Sequence, residues 1–430
     1  MRKVSPFMAM AVGLLPIVAG CGAGPASSSA ASKETVTVWD TYTGPQQAAF
    51  THLVKQFNAS QSRVVVKPQF IVTGDLFLPK LLTAISDHTN PPLVAGGYPT
   101  WGAELLKTHQ VVPLASWMKN SHDPIPMSQF IPGVLKVSSY RGTLLSLPTD
   151  GGDYGIFYNK NDFQAAHITQ PPATWSQVAA DAQKLTRTAQ GRYGIYIPFG
   201  TTEWTVWTWE GLLWAAGGHF LNRTETQAAF DSSQGVRALS IWDHLIQSHV
   251  AYPTSLATPQ SPIGQEGFSA NRVAMLIDGP WDVKTFTGKV SFGTAMFPAV
   301  TTRATNLGTD VVYLFKTPTR TDQAAWTFLH WWMQPQTLAK WDISSGYLPT
   351  TVPAAKTSLY RTFLAKHPLY KPFVQNLQYA HGRPSLKSYP AISHKLGVQL
   401  DRSFHGQISP QAALSTASHE ANAILAANHE

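Results

Sequence analysis

The sequence predicts an α/β protein of two lobes, and three observations carry that expectation. β-rich runs alternate with helix-length amphipathic runs, which is the signature of strands linked through helices in a mainly parallel sheet. Roughly 400 residues follow an N-terminal leader, more than one hydrophobic core usually supports. Beyond Lys33 no apolar stretch is long enough to span a bilayer as a helix.

The leader comes first. Met1-Arg2-Lys3 is basic, Met8 to Val18 is apolar but short, and Val18-Ala19-Gly20 precedes Cys21, the sole cysteine of the 430 residues. This pattern reads as a signal peptide over residues 1–20. Leu15 to Cys21 resembles the lipobox of bacterial lipoproteins, which implies lipidation of Cys21. Residues 21–32 (CGAGPASSSAAS) are small and polar and read as a flexible spacer. The expected product is anchored to the outer face of the cell membrane, or periplasmic if the cell has two membranes.

Thr35 to Trp39 alternates as a half-buried strand does, and Gln46 to Asn58 sets Phe50, Leu53, Val54 and Phe57 at helical spacing. Arg63 to Ile71 reads as a second strand and Leu78 to Ile85 as a second helix. Leu144 to Pro148 leads into a strand at Gly155 to Tyr158. Thr174 and Gln177 have capping-box spacing at the start of the next helix. Further helices are expected at Gln234 to Ser248, Asp322 to Met333 and Ser409 to Ala427, the last opened by Ser409-Pro410.

Without Arg2 and Lys3 the chain holds 30 basic residues against 24 acidic ones, a net +6 spread without any block of like charge. That pattern argues against a nucleic-acid tract. Charged residues make up 13% of the chain, about half the usual quarter. Exposure to acid outside the cell would favour such a composition, because few carboxylates would then lose their charge, and compositional drift alone is the alternative reading. No nucleophile elbow, paired zinc histidines, phosphate loop or dinucleotide fingerprint is present, and the 15 histidines are scattered. Neither a metal nor a cofactor is expected. Asp150 and Asp278 could approach each other as the two carboxylates of a glycosidase do. The reading is nevertheless a binding protein without catalytic residues.

Five segments in order resemble the family 1 extracellular solute-binding proteins, the receptors of sugar-type ABC importers. They are Thr35 to Trp39 with its helix, Leu147-Pro148 through Gly155-Ile156-Phe157-Tyr158-Asn159-Lys160, Pro171-Pro172-Ala173-Thr174-Trp175, Phe268 to Trp281, and Ser345-Gly346-Tyr347-Leu348-Pro349. Pro91-Pro92 departs from the family's usual proline-aspartate. The resemblance implies a maltose-binding-like, type II periplasmic-binding fold. One lobe would comprise 33–148 with 301–345, the other 149–300 with 346–430. Crossings would fall near Leu147–Asp153, Phe297–Thr302 and Ser345–Pro349, with hinge closure on a ligand in the cleft.

A sugar offers ring-edge hydroxyls and apolar C–H faces, so its site needs aromatic platforms beside fixed hydrogen-bonding groups. Loops rich in both supply the candidates: Trp39, Asp40 and Tyr42; Tyr98 and Trp101; Asp150 and Asp153; Trp204 and Trp207; Asp278, Gly279 and Trp281; and Tyr347. Trp326, Trp331 and Trp332 follow helical spacing and are expected in the core. Arg383 could grip a phosphate or a sugar edge. The expected ligand is a carbohydrate, the alternative glycerol 3-phosphate or its diesters. The expected partners are permease subunits driven by a separate ATPase, with the receptor itself a monomer.

Overall fold

The computed structural model describes residues 33–72, 76–120, 122–253, 262–317 and 322–428. The leader, Cys21 and the spacer lie outside the described residues.

The first strand, β1 (Glu34–Asp40), buries Val36 and Val38 on one face, as its alternation requires. Helix α1 (Gly44–Ser60) lays Phe50, Leu53, Val54 and Phe57 against the same core. β2 (Val64–Phe70) and β3 (Leu93–Gly97) both pair with β1 in parallel. Two further strands complete this sheet: β4 (Leu147–Pro148) at one edge and Val311–Leu314 between β3 and β4.

The second sheet is three-stranded, with β5 (Gly155–Asn159) between β6 (Met275–Asp278) and β7 (Phe292–Ala295). The Val311–Leu314 strand is β8. The expected mainly parallel arrangement holds in the first sheet, where β1 to β4 run one way, and fails in the second. β8 runs antiparallel to both its neighbours, and every pairing in the second sheet is antiparallel. The reason is the path of the chain. Segments that leave one sheet and return from the other re-enter from the hinge end, so their direction is reversed.

Helices complete two main cores. Around the second sheet lie α2 (Trp175–Leu185), α3 (Glu203–Ala215) and α4 (Ser233–Gln247), with α7 (Tyr389–Phe404) and α8 (Pro410–Ala427) from the end of the chain. The capping box at Thr174 and Gln177 is present in both directions. Ser409 caps α8 by accepting from the Ala412 N–H. The first core takes Trp326, Phe328 and Trp332 from α5 (Asp322–Trp332), and Leu338 and Trp341 from α6 (Pro335–Ser345).

The chain passes between the sheets after Pro148, after Ala295 and after Ser345. These crossings are tied together. Gly151 and Leu348 exchange backbone hydrogen bonds of 2.6 and 2.7 Å, and Gly152 and Gly308 do so at 2.9 and 2.7 Å. The second crossing lies later than Phe297–Thr302. Phe297 is in the second core, Thr301 donates to the Ala215 carbonyl, and Asn306 still donates to Trp207, so the passage falls at Gly308–Asp310.

Candidate functional site

A cavity of about 470 Å³ lies where the two sheets meet, within the usual range for a small-molecule site. The turn after β1 and the start of α1 (Thr41 to Gln46), with Gly96 and Tyr98, form one wall. The opposite wall holds Tyr196, Glu203, Trp204, Trp207, Gln265, Asp278, Trp281, Asp282 and Thr285. Gly308, Thr309, Asp310, Tyr347 and Arg383 form its base near the crossings.

An aromatic strip runs along the cavity. Trp204 and Trp207 lie 5.0 Å apart at 32°, Trp281 is 6.0 Å from Trp204 and 6.3 Å from Trp207, and Tyr347 is 5.4 Å from Trp281. Trp204 and Trp207 come one turn apart on α3, a helix apolar on nearly every side because protein or cavity surrounds it.

Trp281 is held from several directions. Its indole N–H donates to Asp278 Oδ1 at 3.0 Å, and the Gly279 N–H donates to the same oxygen at 2.8 Å. Gln265 donates to Asp278 Oδ2 at 2.8 Å. Asp278 therefore orients the ring. Behind it lie glycines: a Cβ on Gly152 would come 2.8 Å from the Trp281 ring, and Gly346 has a left-handed φ of +92° with Trp281 packed against it.

At another part of the wall, Arg383 pairs with Glu203 at 2.6 Å, and both side chains are largely buried. Tyr389 donates between the carboxylates of Glu203 and Glu210, Ser393 reaches Glu203, and Asn306 donates to Glu210 at 2.6 Å. Burial first, then the adjacent Glu203 charge, pushes the Glu210 carboxyl up to about 8. Asp310 is raised to about 6 by burial, against the opposing effects of Tyr347 and Arg383.

Of the residues singled out from sequence, the cavity brings together Tyr42, Tyr98, Trp204, Trp207, Asp278, Trp281, Tyr347 and Arg383. The others lie behind it. Trp101 is buried face to face on Phe77 at 5.5 Å and 3°, and Trp39 meets the edge of the same ring, so both are committed to a core cluster. Asp40 is buried beneath the sheet end, which pushes its carboxyl up to about 6.

Asp150 spends its carboxylate internally. It accepts from the Asp310 N–H at 2.9 Å and the Trp341 indole at 3.3 Å. Asp153 is fully buried beside Asn376, and Gly279 serves through its N–H. With Asp150 withdrawn, Asp150 and Asp278 do not face each other across the cavity. Sequence reading missed Tyr196, Gln265, Asp282, Thr309 and Asp310. The Gly308-Thr309-Asp310 turn ahead of an apolar strand has the same character as Asp150-Gly151-Gly152 and was the available signal.

Two sheets joined through a hydrogen-bonded hinge, with an aromatic cavity between them, define a two-lobed ligand-binding protein. The chain belongs to the bacterial extracellular solute-binding protein family, whose pattern it matches over residues 52–366. It is 26% identical over 407 residues to a binding protein of Brucella abortus, covering 93% of this chain and 95% of that one. It is 23% identical to the sn-glycerol-3-phosphate-binding periplasmic protein of Rhizobium meliloti, over 90% of this chain and 93% of that one. Among solved structures, the cyclic α-maltosyl-1,6-maltose binding protein of Arthrobacter globiformis superimposes with a TM-score of 0.76 at 26% identity, covering 92% of this chain and 99% of that one.

Proposed function

We propose that this protein is the carbohydrate receptor of an ABC importer. The observation that carries the reading is the strip formed by Trp204, Trp207, Trp281 and Tyr347, whose ring faces match the C–H faces of a sugar. The name of the Arthrobacter protein supports it. Asp310, Glu203 and Gln46 supply hydrogen-bonding groups along the strip. Ligand draws together a lobe of 33–148 with 311–345 and a lobe of 149–307 with 346–430, the passage at Gly308–Asp310 serving as pivot. The closed form docks on permease subunits powered by a separate ATPase. The receptor works as a monomer without catalytic activity, tethered to the outer membrane face through lipid on Cys21.

A second reading is sn-glycerol 3-phosphate, supported by the Rhizobium relative and by Arg383 on the cavity wall. Tryptophan fluorescence of the protein, purified from membranes in mild detergent, tests both. A saturable shift with maltose, cellobiose or xylose oligomers, weakened by Trp281→Ala, is the expected result. A response to glycerol 3-phosphate alone, lost in Arg383→Ala, promotes the second reading.

A further inference from the structure

The charge on the cavity wall runs opposite to that of the chain. The whole chain is basic, yet among the described residues the wall carries Glu203, Asp278, Asp282 and Asp310 against one cation, Arg383. Arg383 is already paired with Glu203 at 2.6 Å in a buried contact. A guanidinium so engaged has little charge left for a ligand phosphate, and freeing it would strand Glu203.

Asp278 and Asp282 lie within hydrogen-bonding reach of each other, and among the described residues neither makes an ion pair. Lys289 is the cation whose charge acts on Asp282, and Gln265 and Thr285 are their polar neighbours. Burial raises both carboxyls, and Asp282 raises Asp278 further. Beside this pair, Tyr196 is 2% exposed and Trp207 6% exposed. Both line the cavity, and neither the Tyr196 hydroxyl nor the Trp207 indole N–H has a hydrogen-bond partner among the described residues. The Trp204 and Trp281 rings close the same end, and indole faces attract cations.

Resting on the carbohydrate reading, we infer that the cleft prefers a sugar bearing an amino group, whose ammonium seats on Asp282, with buried Asp278 behind it, and against the tryptophan faces. The ammonium supplies the charge partner that the pair lacks while the rest of the sugar lies along the strip. A partly desolvated site makes that attraction stronger than it is in water. A phosphate ester meets the same carboxylates and is repelled.

Calorimetry at neutral pH on the detergent-purified protein tests this with matched probes. Glucosamine and its β-1,4 disaccharide are compared with glucose and cellobiose, with the N-acetylated disaccharide, and with maltose and glycerol 3-phosphate. The expected result is that the amino disaccharide binds at least about tenfold tighter than cellobiose, and that acetylation removes the advantage. Asp282→Asn, nearly isosteric, should bring the ratio to within about threefold.

Equal or weaker binding of the amino sugar, with cellobiose or maltose still bound, overturns this inference and leaves the carbohydrate reading intact. A preference undiminished in a folded Asp282→Asn protein overturns the assignment to this pair. Binding of glycerol 3-phosphate with no response to any sugar overturns both.

Discussion

Trp341 and Trp281 make the same bond in different settings. Each donates its indole N–H to a buried aspartate, Trp341 to Asp150 at 3.3 Å and Trp281 to Asp278 at 3.0 Å. Trp341 is enclosed by Tyr42, Phe50 and Trp332, whereas Trp281 meets the cavity on one side and glycines on the other. The indole–carboxylate bond fixes a ring in place in both cases. What lies against the open face decides whether the ring stabilises the fold or receives a ligand.

The comparison breaks most visibly at the enclosed ring. Trp341→Ala should cost about 3–5 kcal/mol in denaturant unfolding, because it opens a core void and also removes a partner from buried Asp150. Trp281→Ala should cost less than about 2 kcal/mol of stability, yet weaken ligand binding tenfold or more, read by calorimetry. If both variants lose stability equally, the distinction between them fails. Gly152→Ala sharpens the contrast by pressing a methyl into the Trp281 ring. The expected cost is about 1–3 kcal/mol, with binding weakened several-fold and the Trp341 environment unchanged in near-ultraviolet dichroism.

The smallest effect concerns pH. Glu210 ordinarily titrates at 4.5 and is pushed up to about 8 in the fold. Between those values the folded protein keeps a proton that the unfolded chain has shed, so stability falls as pH rises through this window. Asp40, Asp243 and Asp310, raised from 3.8 to about 6, act in the same direction over a lower window. Urea unfolding should therefore show greater stability at pH 5 than at pH 8. Glu210→Gln should flatten the upper part of that slope. An optimum at neutral or alkaline pH would contradict the expectation, and with it the link between sparse charge and an acidic habitat.

Much of the fold was legible because it rests on local periodicity. The helix at Gln46 to Asn58, the capping box at Thr174 and the Ser409 cap are decided by neighbours in sequence. The direction of β8 was not, since it depends on where a remote lobe returns the chain. The site divides in the same way. Trp281 and Tyr347 sit in turns whose composition marks them, whereas Trp101 resembles them in sequence and differs only in having Phe77 to stack on. Asp150 looked like a ligand contact for its glycines and carboxylate. Its oxygens are taken up by Asp310 and Trp341, 160 and 191 residues away in the chain.

The interleaving of the lobes also bears on how the protein is made. β3 waits for β8, more than 200 residues later, and the core around β5 waits for α7 and α8 at the end of the chain. A chain threaded outward from its N-terminus therefore leaves the first lobe unfinished until β8, α5 and α6 have emerged, and the second until α7 and α8 follow. During export the early strands remain open edges, exposed to aggregation and proteases, and secretion yield should respond to chaperoning more than native stability alone would suggest.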